Sequence, residues 1–132
     1  MIRLVIADDQ IQVRSALRLF LEQAGGFAVV GEADDVVAAL ALVAQQQPDL
    51  LIVDWELPGG GGMTVLEAVR RAAPGSRVLV LSGLPEARRA ALQAGADGFV
   101  SKGDPPERFL AAVRGSWTSN PPSVTIDPAL IL

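Results

Sequence analysis

The chain has 132 residues, enough for one domain that buries roughly two-thirds of its unfolded surface. A formal charge of -4, from 11 basic and 15 acidic residues, argues against binding nucleic acid through bulk electrostatics. With no cysteine and no histidine, disulfides, thiolate or imidazole metal ligands, a Ser-His-Asp triad and a phosphohistidine on this chain are all excluded.

Ile2 to Ala7 is a short, β-rich apolar run that stops at Asp8-Asp9. A helix follows over Ile11 to Ala24, with Val13, Ala16, Leu17, Phe20, Leu21 and Ala24 on one stripe, and Gly25-Gly26 ends it. Phe27 to Gly31 reads as a second strand, and Val36, Val37, Leu40 and Val43 give a second helix its apolar face before Pro48. Leu50 to Val53 is a third strand, ending at Asp54, and a third helix over Met63 to Ala73 carries Val65, Leu66 and Val69. Val78 to Leu81 forms a fourth strand ending at Ser82. The fourth helix, Pro85 to Ala94, has only Ala87, Ala90, Ala91, Leu92 and Ala94 as a thin stripe, which makes it a candidate to move. Gly98 to Ser101 is the fifth strand, ending at Lys102, and Pro105 or Pro106 opens a fifth helix with Phe109, Leu110 and Val113.

Five strands alternating with five helices predict an α/β fold with a five-stranded parallel sheet, doubly wound. Strands that are apolar on successive residues support burial on both faces. The longest apolar stretch, Val36 to Ala44, is nine residues, against about 20 needed to span a bilayer, so no membrane partner is expected. Met1 leads into Ile2-Arg3-Leu4 without a signal-peptide pattern, and a cytoplasmic address is the expectation.

In an open parallel sheet the carboxyl ends of the strands share one edge, where the crevice binds ligands. Asp8, Asp9, Asp54, Ser82 and Lys102 therefore converge on one small volume. Read alone, Asp8-Asp9 also suits a helix N-cap with a first-turn acid, and Asp54 could cap the turn after its strand. Three carboxylates about 5 Å apart repel by about 3 kcal/mol per pair at an effective dielectric of about 20, so a cation belongs among them. With only oxygen ligands on offer, the hard ion Mg²⁺ is the natural occupant. Lys102 is the single lysine beside ten arginines. Its compact ammonium suits a phosphoryl oxygen as a point charge, and Ser82 offers a hydroxyl to the same oxygen, with Gly83 leaving room for its approach.

Asp8/Asp9, Asp54, Ser82-Gly83 and Lys102 resemble the acid pair, phosphoacceptor, hydroxyl and lysine of a bacterial two-component response-regulator receiver domain. Pro58 and Gly62 stand four and eight residues beyond Asp54, as in that family, and Phe99 falls on its aromatic switch position. The phrase Ala94-Gly95-Ala96-Asp97-Gly98-Phe99-Val100-Ser101-Lys102 is typical of it, and the resemblance covers about residues 2 to 115.

The resemblance implies a flavodoxin-like receiver fold and Mg-dependent phosphoryl transfer from a kinase phosphohistidine to Asp54. Its expected metal ligands are Asp9, Asp54 and the Glu56 backbone carbonyl, with Asp8 acting through water. Lys102 would neutralise the phosphoryl oxygens, Ser82 would swing to bond them, and Phe99 would repack the face formed by the fourth helix, fifth strand and fifth helix. The only chemistry expected is phosphorylation and dephosphorylation at Asp54, not turnover as an enzyme. Implied partners are a sensor histidine kinase or phosphotransfer protein and a second copy of the chain. Two departures stand out: Phe99 replaces the tyrosine common at its position, and Gly103 replaces the proline that often follows the lysine. Trp55 reads as a buried anchor, Glu56 as a solvated side chain, and Gly59 to Gly62 as a mobile turn.

A small Mg-dependent aspartate-nucleophile phosphohydrolase is the rival reading, but Asp54-Trp55-Glu56 lacks the Asp-x-Asp pair and no cap insertion is present. A flavodoxin-like ligand-binding module is another, but the glycine run follows the third strand rather than the first. The expected division is a receiver over 1–116 and a linker, or truncated start of an output-domain connection, over 117–132. There Pro121-Pro122 is followed by the helix opening Asp127-Pro128 and the apolar Ala129-Leu130-Ile131-Leu132. This style resembles regulators with a LuxR-like helix-turn-helix output domain; none is present here, so DNA binding and transcriptional control would belong to a longer parent.

Overall fold

A computed structural model describes residues 1–115; the expected linker over 117–132, with Asp127-Pro128 and its apolar tail, lies outside them. In chain order the elements are β1 (Ile2–Ala7), α1 (Ile11–Ala24), β2 (Phe27–Ala33), α2 (Val36–Gln46), β3 (Leu50–Asp54), α3 (Gly61–Ala72), β4 (Arg77–Ser82), α4 (Ala87–Gln93), β5 (Gly98–Ser101) and α5 (Pro106–Gly115). The strands form one parallel sheet in the order β2-β1-β3-β4-β5.

Alternate residues of each central strand feed opposite cores. Val5, Ala7, Leu51, Val53, Val78 and Val80 pack under α2, α3 and α4, whereas Leu4, Ile6, Leu50, Ile52, Leu79 and Leu81 pack under α1 and α5. This two-sided burial explains why the strands read as continuous apolar runs. Because β2 and β3 flank β1 on opposite sides, the chain reverses its direction of travel across the sheet there. The crevice beyond the carboxyl ends of β1 and β3 is the topological switch point of such a fold.

The strands are longer than their apolar runs. β2 continues through Glu32 to Ala33, β3 takes in Asp54, and β4 takes in both Arg77 and Ser82. Glu32 is tolerated because Arg14 and Arg18 of α1 lie against its carboxylate. On α2, Val37 is 77% exposed, contrary to its expected place on the apolar face, and Ala39 is buried instead. The helix starts at Val36 with Asp35 capping the Ala38 N–H at 2.8 Å. That start sets the buried line at 36, 39 and 43 and turns residue 37 to solvent. On α1 only Leu21 is fully buried and Ala16 is exposed, so the predicted stripe is half-covered. Val13, Leu17 and Phe20 instead line a groove of about 450 Å³ shared with Phe109 and Pro106 of α5.

The fourth helix is shorter than its predicted range and buries only Ala87 and Ala91. Ala90 and Leu92 face solvent, which leaves it anchored by two small side chains. The glycine run is split between a turn at Gly59-Gly60 and the start of a helix. Gly61 and Gly62 form the first turn of α3, and the Gly62 N–H donates to the Trp55 carbonyl at 2.8 Å. A Cβ on Gly62 would sit 2.8 Å from Trp55 Cε3 and 2.9 Å from its Cα, so that close approach needs a residue without a side chain.

Candidate phosphoryl-acceptor site

Backbone hydrogen bonds carry the sheet's order one step past the strand ends. The Asp8 N–H donates to Ala33 at 3.0 Å, the Trp55 N–H to Leu81 at 2.8 Å, and the Lys102 N–H to Ser82 at 2.8 Å. Each side chain named from the sequence therefore leaves a fixed backbone. Asp8 is fully buried, Asp54 is 2% exposed, Ser82 is fully buried, and Asp9 is exposed at the rim.

The turns at Asp8 and Asp54 are closed by their own carboxylates. Asp8 Oδ1 accepts the Gln10 N–H at 2.9 Å, and Asp54 Oδ1 accepts the Glu56 N–H at 3.0 Å, the usual aspartate-to-second-residue turn. The turn-closing role considered for Asp54 is thus real and coexists with the cluster, whereas Asp8-Asp9 supply neither the N-cap nor a first-turn acid of α1. The residue capping α1 is Gln10, whose side chain makes no capping bond.

One oxygen of each buried carboxylate remains aimed at the crevice. Lys102 Nζ lies 2.7 Å from Asp8 Oδ2 and 3.3 Å from Asp54 Oδ2. At 2.7 Å the first contact is a close charge-assisted pair, and Lys102 is the partner that the buried Asp8 Oδ2 has among the described residues. Burial pushes the Asp54 carboxyl above the usual carboxylate range and the nearby Asp8 charge adds to this, against the Glu56 N–H and Lys102, which favour the ionised form. Burial alone would lower the Lys102 pKa, but the Asp8 and Asp54 carboxylates outweigh it and hold the ammonium above the ordinary lysine value.

Oxygen atoms of Asp8, Asp9 and Asp54 all lie within 4.8 Å of one another. At that separation each pair repels by about 3 kcal/mol at an effective dielectric of about 20. Three negative charges against one lysine leave the cluster two charges in excess. The all-oxygen donor set and its excess negative charge fit a hard divalent cation such as Mg²⁺.

The other named residues fall at two distances from this cluster. Trp55 is half-buried against the core under α3, as an anchor would be. Phe99 lies outside the acid cluster: it pairs with Val80 in the sheet, packs toward Ala91 and Ala94, and carries the Arg88 guanidinium 5.9 Å above its ring. Two contacts were not expected from the sequence. Lys102 Nζ reaches Gln10 Oε1 at 3.5 Å, the outer limit of a hydrogen bond. The Glu56 side chain, read as solvated, accepts the Ser82 hydroxyl at 2.8 and 3.0 Å. The only sequence signal was that Asp54 closes a turn onto Glu56, which aims the next side chain across the end of β4.

A family model described as the response regulator receiver domain matches residues 4–114. A protein-glutamate methylesterase/protein-glutamine glutaminase from Myxococcus xanthus is 42% identical over 104 residues, covering 76% of this chain and 30% of that protein. The receiver domain of the NarL response regulator from Mycobacterium tuberculosis superposes with a TM-score of 0.83 at 36% identity, covering 90% of this chain and 98% of that one. A LuxR-family two-component response regulator from an Aurantimonas species superposes with a TM-score of 0.80 at 32% identity, covering 86% and 83%. The chain spans 30%, 56% and 53% of the length of three curated relatives it matches. With five parallel strands in the receiver order, a match along nearly all the described residues, and an acid-lysine cluster at the switch point, this chain belongs to the response regulator receiver domain family.

Proposed function

We propose that Asp54 accepts a phosphoryl group from a phosphohistidine on a sensor kinase or phosphotransfer protein. The observation that carries this reading is Asp54 itself: a buried carboxylate at a strand end, with one oxygen on a backbone N–H and the other facing the Lys102 ammonium. Attack by a carboxylate oxygen on phosphorus forms the P–O bond of an acyl phosphate as the P–N bond to the donor histidine breaks and the imidazole leaves. Such a transfer asks the protein mainly for positioning and charge stabilisation.

Asp9, Asp54 and the Glu56 backbone carbonyl would hold Mg²⁺, with Asp8 acting through water. The bound ion supplies positive charge to the transferring oxygens. Lys102 supplies the same from the chain's own side, and Ser82, once turned, donates its hydroxyl. Phe99 then repacks the face of α4, β5 and α5, where the thin burial of α4 makes movement cheap. That face would engage a second copy of the chain or an output segment. The chain would act as a switch with no turnover beyond Asp54.

A Mycobacterium tuberculosis relative named as the probable transcriptional regulatory protein NarL, 38% identical over 114 residues, supports a role in transcription for a longer parent, with DNA contacted only by an output domain. Residues 1–116 would form the receiver and 117–132 its connection. Treatment with acetyl phosphate and Mg²⁺ should add one phosphoryl by mass, absent in Asp54→Asn; equal labelling of that variant refutes the assignment. Deleting 119–132 should leave the labelling intact.

A further inference from the structure

The Ser82 hydroxyl is already occupied. It donates to the Glu56 carboxylate, with both oxygens within 3.0 Å, while its oxygen accepts the Leu84 N–H at 2.9 Å. A serine hydroxyl has one hydrogen to give. It cannot serve Glu56 and a phosphoryl oxygen on Asp54 together.

We propose that Glu56 is a positioning residue that withholds the Ser82 hydroxyl from the phosphorylated site, acting as a carboxylate latch on the switch. This rests on the reading of Asp54 as phosphoacceptor and goes beyond it. The latch is built by the turn at Asp54, whose Oδ1 fixes the Glu56 N–H and so aims the glutamate side chain over the end of β4. Acceptor, latch and hydroxyl are therefore tied to the same short segment. A carboxylate is a stronger acceptor than a neutral oxygen, so the bond biases the unphosphorylated state. Phosphorylation must break it: the incoming dianion repels the glutamate and competes for the same hydrogen. The Glu56 side chain is otherwise exposed and can leave into solvent without cavity cost. Glu56 would thus set how much phosphorylation the switch needs before it turns.

The test is beryllofluoride titration of the full chain with Mg²⁺, followed by amide NMR at Ser82, Leu84 and Phe99. Loss of a charge-assisted bond predicts that Glu56→Ala lowers the half-saturating concentration about tenfold. Glu56→Gln, which keeps an acceptor but not the charge, should lower it only about two- to threefold. In a Ser82→Ala background Glu56→Ala should shift it only about two- to threefold, because the donor is already gone and only the charge repulsion is left to relieve. An equal shift with and without the serine hydroxyl would mean simple charge repulsion and overturn the latch. In the unliganded chain Glu56→Ala must also move the Ser82 and Leu84 amide resonances; unmoved resonances overturn the latch whatever beryllofluoride does. A parent chain that fails to respond to beryllofluoride, or a response that survives Asp54→Asn, instead defeats the phosphoacceptor reading, so the two failures are told apart.

Discussion

At Asp54 the folded chain holds a carboxylate where water barely reaches, beside a second buried carboxylate. Its pKa is raised, chiefly by burial, so folding disfavours its charged form. The cost is absent below the unfolded pKa near 3.8 and complete above the higher folded value, so it grows as pH rises through that window. Asp54→Asn should therefore raise the melting temperature at pH 7 in metal-free buffer, and the gain should vanish below about pH 4. Thermal scans at the two pH values measure it, and a variant less stable at neutral pH contradicts the argument. Lys102→Ala removes the only ammonium touching Asp8 and Asp54. The attraction that offset the repulsion between two buried carboxylates, about 3 kcal/mol at an effective dielectric of about 20, is then lost, so the variant should be less stable at pH 7 and phosphorylation should slow. Lys102→Arg should retain charge and labelling while weakening the response at Phe99, since a planar guanidinium does not fit a point-charge role. Beryllofluoride-induced shifts identical to those of the parent would count against that.

The elements nearest the site differ in what they tolerate. Gly62→Ala drives a Cβ against the Trp55 ring and backbone, which should cost about 1–3 kcal/mol as overpacking and slow labelling of the adjacent Asp54. Gly83→Ala meets no atom within 4 Å, and its melting temperature should stay within about 2 °C of the parent. Paired urea melts separate the two, and equal losses would show that the Trp55 contact is not what constrains Gly62. On the opposite side of the sheet, Glu32 is held below the usual carboxylate range. Burial opposes this, but Arg18 and Arg14 outweigh it. A depressed folded pKa contributes stability that is full above the unfolded value near 4.5 and is lost as pH falls through the folded one. Glu32→Gln should thus lower the melting temperature at pH 7, by an amount equivalent to about 1 kcal/mol for so accessible a pair, and converge with the parent in acid. A gap that persists at pH 3 would point to packing rather than charge.

For the molecule as a whole, the sheet is the rigid part and the helices differ in how firmly they are held. Ile52 is fully buried at the middle of the central strand, with β1 and β4 on either side. Ile52→Ala should cost about 2–5 kcal/mol, a large part of a typical domain's stability, without touching any site residue. Loss of phosphorylation in a variant that remains folded would show that the strand does more than hold position. The same design places a fixed edge of acids and lysine next to α4, whose two buried alanines cost little to move. A rigid chemical site beside a loosely held helix is what a switch requires.

The sequence by itself determined the order and type of all ten elements, because two-sided burial writes strands as unbroken apolar runs and helices as spaced stripes. It also determined the cluster: Asp8, Asp9, Asp54 and Lys102 were legible because each ends a run whose partner strands must lie parallel, while Ser82 ends its strand as read but gives its hydroxyl to Glu56. Strand ends at Ala33, Asp54 and Ser82 were not legible, since a polar residue inside a strand carries no period; the ladder to its neighbour decides it. Val37 and Ala16 were misplaced for a related reason. Two adjacent apolar residues leave a helix's rotation open, and only the packed sheet fixes which one is covered. The bond between Glu56 and Ser82 joins residues 26 apart through one turn and one rotamer. No spacing rule encodes such a contact, so the tertiary structure alone decided it.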